Sequence, residues 1–226
     1  MGKTYFVSGI DTSVGKTAAT GLMARYLVRA GVRAITCKPV QTGNTGFSED
    51  IGAHRAVSGT GAMPEDAQGI TAPQIFAFPS SPELSARLEG KTVDVSKMAA
   101  AVETLADRYD FVLVEGAGGL AVPLSQDLLT IDWVAQKGWP LILVSSPRLG
   151  SLNHTILSLE AALSRGVSIA GVVYDLFPET DAKIVDDTRA WIRKYLSQSG
   201  TGAPVVDVPP FGSTVPDVDF GRIFFK

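Results

Sequence analysis

The segment Gly9-Ile10-Asp11-Thr12-Ser13-Val14-Gly15-Lys16-Thr17 carries the strongest chemical signal in the chain. It follows an apolar run, Tyr5-Phe6-Val7, and opens a helical pattern from Gly15 to Ala30. Strand, glycine-bearing loop, Lys-Thr and helix is the order a phosphate-binding loop requires. Free amides at the helix start surround an anion, and the helix dipole adds favourable potential. The amides of Ser13, Val14 and Gly15 would cradle phosphate, Lys16 would reach the outer phosphates, and the Thr17 hydroxyl would bind Mg2+. The loop is one residue longer than the common pattern: Ile10 stands where its first glycine usually falls, and Gly9 lies one place back.

Three further segments carry candidate groups. Val112-Leu113-Val114-Glu115 is a strand that ends on an acid and runs into Gly116-Ala117-Gly118-Gly119. A carboxylate there, beside a phosphate loop, suits a hard cation, and the glycines let backbone approach a ligand closely. Cys37-Lys38-Pro39-Val40-Gln41-Thr42 ends another strand. Lys38 either stabilises negative charge that builds up in a transition state or is a solvated loop lysine. Thr42 is placed to hydrogen-bond the same group. Asp50, in a short helical piece, is a second candidate for the metal, or a surface acid. At the start of the helix that covers Ser151 to Ser164, the segment Gly150-Ser151-Leu152-Asn153 offers free amides to a carboxylate or phosphate. Ser151 or Asn153 would equally serve as its cap.

The elements that must position these groups alternate. Strands are expected at Tyr5–Val7, Ala34–Val40, Phe111–Val114, Leu141–Val144, Ile169–Val173 and Val205–Val206. Helices are expected over Gly15–Ala30, Asp50–Ser58, Val95–Tyr109, Ser151–Ser164 and Asp181–Leu196. The stretch from Pro64 to Pro82 reads as loop, with Pro73, Pro79 and Pro82 as helix breakers. The strands are continuous apolar runs, as strands covered on both faces are. The expectation is an α/β fold with a mostly parallel central sheet and helices on both faces, in one domain spanning 1–226. Ligands in such sheets sit at the carboxyl ends of the strands, where every candidate group falls. The Pro- and Gly-rich tail after Pro209 ends in Phe-Phe-Lys and is expected to dock back on the domain.

Composition narrows the functional classes. Lys plus Arg is 20 against 23 for Asp plus Glu, and the formal charge is -3. That balance argues against coating nucleic acid. One cysteine, Cys37, excludes an internal disulfide and a cysteine-rich zinc site, and only His54 and His154 are available for imidazole chemistry. No run approaches the roughly 20 apolar residues of a membrane span, and the N-terminus lacks the features of a signal peptide. A cytoplasmic protein is expected.

Taken together, YFVSGIDTSVGKT, CKPVQTG, FVLVEGAGGLAVPL and LGSLNHT resemble the dethiobiotin synthetase family, in that family's order. The likeness spans residues 4 to 178. It implies the P-loop NTPase-like fold and an enzyme that uses ATP, Mg2+ and CO2 to close a urea ring on 7,8-diaminopelargonate. Lys16 would then contact the transferred phosphoryl group, with Thr12 on the substrate side of the loop. Lys38 would steady the carbamate and the developing phosphate charge, with Thr42 nearby. Thr17, Asp50 and Glu115 would hold the metal. The amides of Gly150 to Asn153 would hold the substrate carboxylate for the partner subunit of a homodimer, so that the active site lies at the interface. Asp175 falls where an Asn commonly reads the adenine base, and Glu83 falls where His is common at the cleft rim. The competing expectations are a partition-type nucleotide switch and a related ATP-dependent ligase on another small acid. The switch ATPases carry a signature lysine where this chain has Asp11, and a carboxylate cannot make that lysine's phosphate contact.

Overall fold

The computed structural model describes residues 1–225. In chain order its elements are β1 (Lys3–Gly9), α1 (Lys16–Arg29), β2 (Ala34–Cys37), β3 (Gln41–Thr42), α2 (Glu49–Ser58), α3 (Pro64–Ala67), β4 (Ile75–Phe76), α4 (Pro82–Leu88), α5 (Val95–Arg108) and β5 (Phe111–Gly119). They continue with β6 (Pro123–Ser125), β7 (Leu128–Leu129), α6 (Thr130–Lys137), β8 (Leu141–Ser145), α7 (Ser151–Ser164), β9 (Ile169–Asp175), α8 (Ala182–Gln198), β10 (Val205–Val208) and α9 (Gly221–Phe224).

Six strands form one parallel sheet in the order β10-β9-β8-β1-β5-β2. Every residue of β2, β8 and β9 is buried. Successive side chains on a strand point to opposite faces, so burial of all of them means that both faces of the sheet are covered. Helix α1 packs on β1, β2 and β5 and also against α2, while α7 lies on β8 and β9 and against α8. The chain builds β2 and β5 on one side of β1 and then crosses to β8 on the other. The crevice at that reversal is where ligands of such sheets sit, and the loop after β1 opens into it.

One expectation is corrected. The stretch from Pro64 to Pro82 is not merely loop: it contains α3 and β4, and Pro82 begins α4. Pro64 and Pro82 occupy first helical positions, where a missing N–H costs nothing, so they start helices rather than break them. The region before Gly138 forms the β6–β7 ribbon and α6, which seats Trp133 and Val134 in the core.

The tail docks as its composition suggests, although Lys226 lies outside the described residues. Phe220, Ile223 and Phe224 are buried. The Phe224 ring meets Tyr5 at 5.2 Å and Phe111 at 5.7 Å between centroids, both edge-to-face. Those partners lie on β1 and β5, the strands that carry the candidate site. Phe224→Ala is therefore expected to lower stability by about 3 kcal/mol, measured by urea unfolding; a loss within about 0.5 kcal/mol would mean that the tail contributes little.

Candidate active site

Sheet register assembles the first part of the site. Cys37 pairs with Val114 across β2 and β5, and Val7 pairs with Glu115 across β1 and β5. Lys38, one residue past Cys37, therefore emerges beside Glu115, two residues from the start of the phosphate loop. Gly119 lies opposite Gly9, where an added Cβ would come within 3.3 Å of the Gly9 carbonyl oxygen. Glycine thus lets these two strand ends approach closely.

The loop from Gly9 to Lys16 winds tightly. Gly15 is the residue preceding α1, at φ 89°, and no side chain caps the helix. The first-turn amides of α1 are left free of side-chain partners, as an anion site requires. Ser13 also adopts a positive φ of 57°, uncommon for a residue with a side chain and typical of functional loops. Lys16 is buried, and its Nζ donates to the Asp11 carbonyl at 2.8 Å. Burial, and then the nearby Lys38 ammonium, lower its pKa to about 8.

Four side chains meet beside this loop. Thr17 Oγ1 lies 3.2 Å from Asp50 Oδ1 and 3.1 Å from Glu115 Oε1. Lys38 Nζ bridges Asp50 Oδ2 at 2.7 Å and Glu115 Oε1 at 2.8 Å, and donates to the Gly116 carbonyl at 3.0 Å. Burial by itself would favour the neutral amine, but Glu115 and Asp50 outweigh it and hold the Lys38 pKa above its ordinary value. Burial likewise opposes ionisation of Glu115, yet Lys38 and His54 hold that carboxyl well below the usual range. A hydroxyl and two carboxylates around a cationic group form a set of hard oxygen donors. The Lys38 ammonium stands in that set as a stand-in cation, so the residues fit Mg2+. Among the described residues there is no metal cluster of three or more His, Cys, Asp or Glu. Two carboxylates suffice for Mg2+ when a nucleotide's phosphates supply further ligands.

These groups line a cleft of about 600 Å³ together with Thr12, Ser13 and Thr42. The Val14 side chain is buried in the core, which leaves only its backbone for a ligand. Pro79 to Pro82 form one wall, whereas Glu83 turns onto Arg87 at 3.0 Å.

Two expected groups lie elsewhere. Gly150 and Leu152 line a separate cavity of about 420 Å³ with residues of α8, outside the cleft. Gly150 itself precedes α7 at φ 88° without a side-chain cap, so neither Ser151 nor Asn153 caps the helix; Asn153 is exposed and the buried Ser151 hydroxyl has no partner. Asp175 sits against the phosphate loop rather than in the cleft. Its Oδ1 accepts from the Phe177 amide at 3.1 Å, and a Cβ on Gly15 would fall 1.8 Å from its Oδ2. Burial raises its pKa to about 6. Cys37 is wholly buried, and burial raises its thiol pKa, so it is no nucleophile.

The sequence reading missed His54. It is fully buried, and its Nε2 lies 2.7 Å from Glu115 Oε2. The available signal was its place four residues after Asp50, which puts both on one face of a helix. It also missed the Arg148–Asp11 ion pair, which ties the loop after β8 to the phosphate loop.

Fold and cleft define a nucleotide-dependent phosphoryl-transfer enzyme of the P-loop class. A family model described as an AAA domain matches residues 3–206. The ATP-dependent dethiobiotin synthetase BioD 2 of Pasteurella multocida is 46% identical over 198 residues, covering 88% of this chain and 93% of that protein. The corresponding enzyme of Chlorobaculum tepidum is 44% identical over 223 residues, covering 98% and 93%. The chain belongs to the ATP-dependent dethiobiotin synthetase family. Among solved structures, a ParA family ATPase from Chlorobium tepidum superposes with a TM-score of 0.55 at 16% identity, over 93% of this chain and 86% of that one. The cell division protein FtsY of Thermotoga maritima gives 0.55 at 15%, over 99% and 66%. These two likenesses show the fold alone.

The lowered pKa of Lys16 has a measurable consequence. A phosphate placed against Lys16 would favour the charged lysine, so its binding near pH 8 would draw a proton onto the fraction that is neutral. Calorimetry of ATP-analogue binding in buffers of different ionisation enthalpy is expected to show uptake of about 0.5 proton at pH 8. Uptake from this group vanishes at pH 6, where Lys16 is already charged. In Lys16→Met the uptake at pH 8 should disappear; if it is unchanged there, the proton belongs to another group.

Proposed function

We propose that this protein carboxylates 7,8-diaminopelargonate with CO2 and closes the cyclic urea at the expense of ATP. The products are dethiobiotin, ADP and phosphate, and the role is in biotin biosynthesis. The observation that carries this reading is the convergence of Lys16, Thr17, Lys38, Asp50 and Glu115 in one cleft of a chain of this family. The partition-type switch is not favoured, since Asp11 holds the signature-lysine position and its carboxylate is engaged by Arg148.

The reaction needs no protein nucleophile. An uncharged substrate amine attacks CO2 and loses a proton, giving a carbamate. A carbamate oxygen attacks the γ-phosphorus of ATP, and ADP leaves. The second amine then attacks the carbonyl carbon of the mixed anhydride, phosphate leaves, and the ring closes with loss of a proton. The protein's task in such steps is positioning and charge stabilisation. Lys16 moves from the Asp11 carbonyl to the transferred phosphoryl group, and the amides of Ser13, Val14 and Gly15 hold the other phosphates. Lys38 leaves the two carboxylates and neutralises charge on the carbamate and the phosphoryl oxygens. Thr12 and Thr42, both lining the cleft, orient the substrate. Thr17, Asp50 and Glu115 would hold Mg2+, which supplies charge neutralisation for the nucleotide's phosphates.

The base lies on the other side of Gly15, where Asp175 accepts from an exocyclic amine. The amides of Gly150 to Asn153 serve the substrate carboxylate of a second subunit in a homodimer. The exposure of Leu149 and Leu157, at 84% and 59%, supports this reading, because a partner would cover them.

Mass spectrometry of a reaction with 7,8-diaminopelargonate, ATP, Mg2+ and ¹³C-bicarbonate tests the assignment. One labelled carbon in a cyclic urea, with ADP formed, is the expected result, and Lys38→Ala should lower its rate by about 10²-fold or more. Folded, nucleotide-binding protein that yields no labelled urea would retire this substrate, and near-normal turnover in Lys38→Ala would retire the role of Lys38.

Asp175→Asn offers a separate test of the base site. The buried carboxylate destabilises the fold fully above about pH 6, where it is charged in both folded and unfolded states; the effect fades as pH falls toward the ordinary Asp pKa of about 3.9 and is gone once the group is protonated in both. The variant should therefore melt roughly 2–4 °C higher at pH 8 with little gain at pH 4. If Asp175 contacts the base, the relative use of ATP and other nucleoside triphosphates should change as well; an unchanged ratio removes it from that site.

A further inference from the structure

The groups behind Glu115 have no part in the steps above, yet they are built as a connected set. Asp50 and His54 lie four residues apart on α2, and His54 points from that helix to the back of Glu115. His54 Nε2 is 2.7 Å from Glu115 Oε2, and Nδ1 is 3.0 Å from Thr36 Oγ1 on β2. Arg55 NH1 donates to the same Thr36 oxygen at 2.9 Å. Arg55 is itself fixed by two parallel bonds to Asp66, at 2.8 and 2.7 Å. His54, Thr36, Arg55 and Glu115 are all buried.

Donor and acceptor roles follow from the chemistry of each group. An ionised carboxylate only accepts, so His54 donates its Nε2–H to Glu115 Oε2. In the tautomer that carries its hydrogen there, Nδ1 accepts the Thr36 hydroxyl hydrogen, and Thr36 Oγ1 accepts from Arg55, whose guanidinium only donates. The direction of donation is set at the carboxylate and traces back through His54 to Thr36, beside an Arg55 held by Asp66. Oε2 is thereby engaged, and Oε1 alone faces Thr17 and Lys38.

We propose that His54 is a positioning residue that fixes the Glu115 carboxylate so that Oε1 is its single free ligand to a divalent cation. This rests on reading Thr17, Asp50 and Glu115 as the metal site. Without the imidazole, Glu115 loses the hydrogen bond that sets its rotation, and Oε2 is left buried without a donor. Loss of such an orienting partner typically weakens metal binding about 10- to 100-fold.

The test uses the full chain, with Mn2+ as the probe and a non-hydrolysable ATP analogue present at less than the protein concentration. Bound and free Mn2+ are separated by electron paramagnetic resonance, and melting of each variant without metal reports folding. His54→Leu is expected to weaken Mn2+ binding by about tenfold or more. In His54→Gln, the side-chain oxygen and nitrogen span nearly the separation of the ring nitrogens. It should therefore restore affinity to within about threefold of the parent. A purely structural role for His54 would not produce that rescue. Thr36→Val, which removes the donor to Nδ1 but not the imidazole, should give a smaller loss in the same direction.

Parent-like Mn2+ affinity in folded His54→Leu overturns the proposal, as does a Gln variant no better than Leu. If His54→Leu does not fold, parent-like affinity in Thr36→Val overturns it. Asp50→Asn and Glu115→Gln separate the two levels of inference. Loss of Mn2+ in both, with His54→Leu unaffected, leaves the metal site standing and removes His54. Parent-like affinity in both overturns the metal site and the role of His54 with it.

Discussion

Glu115 has no exposed surface, and an isolated charge in such a place would cost several kcal/mol. It is ionised because Lys38 reaches Oε1 and His54 reaches Oε2. Each of those partners then needs its own. Lys38 takes Asp50 and the Gly116 carbonyl; His54 takes Thr36, and Thr36 takes Arg55. The buried polar groups of this region are a connected set around one carboxylate. Networks of this kind rigidify a structure only when every member is satisfied. Here the strands β2 and β5 and the helix α2 are held in a fixed relation by polar contacts as well as by apolar packing.

That relation makes the cleft. The β2–β5 register sets Lys38 beside Glu115, and the β1–β5 register sets both beside the phosphate loop. A one-residue slip would turn each of these side chains to the opposite face. The apolar runs of β1, β5 and β8, buried on both faces, fix the register, and α9 adds its aromatic ring to the outer ends of β1 and β5. Core packing at one end of the strands therefore controls charge placement at the other.

The parts of this arrangement that were legible in the sequence are those where a local pattern carries its own physics. The phosphate loop is one, since strand, glycine, Lys-Thr and helix are contiguous. An acid at a strand end and a lysine at another are further examples, because carboxyl ends of parallel strands collect ligands. His54 was not legible, since its partners Thr36 and Glu115 lie 18 and 61 residues away and only the sheet brings them together. The short helices α3 and α4 were hidden by treating proline as a breaker where it is a starter. Asp175 was legible as a residue at a strand end, but not its contact with Gly15, which depends on how tightly the loop turns.

The two lysines of the cleft complete the argument. Lys38 occupies the space between Asp50 and Glu115, and Lys16 donates to a carbonyl of its own loop. Each cation therefore has an internal partner before a ligand arrives, and each must leave that partner to meet phosphate. Their mutual repulsion contributes to the lowered pKa of Lys16. On the proposed reading, a nucleotide carrying its own divalent cation would resolve both conflicts at once. Asp50 and Glu115 would then hold the cation in place of Lys38, and the phosphates would lie between the two ammonium groups and neutralise them. On that reading nucleotide and metal binding would be coupled through Lys38, which in the free protein neutralises the two carboxylates.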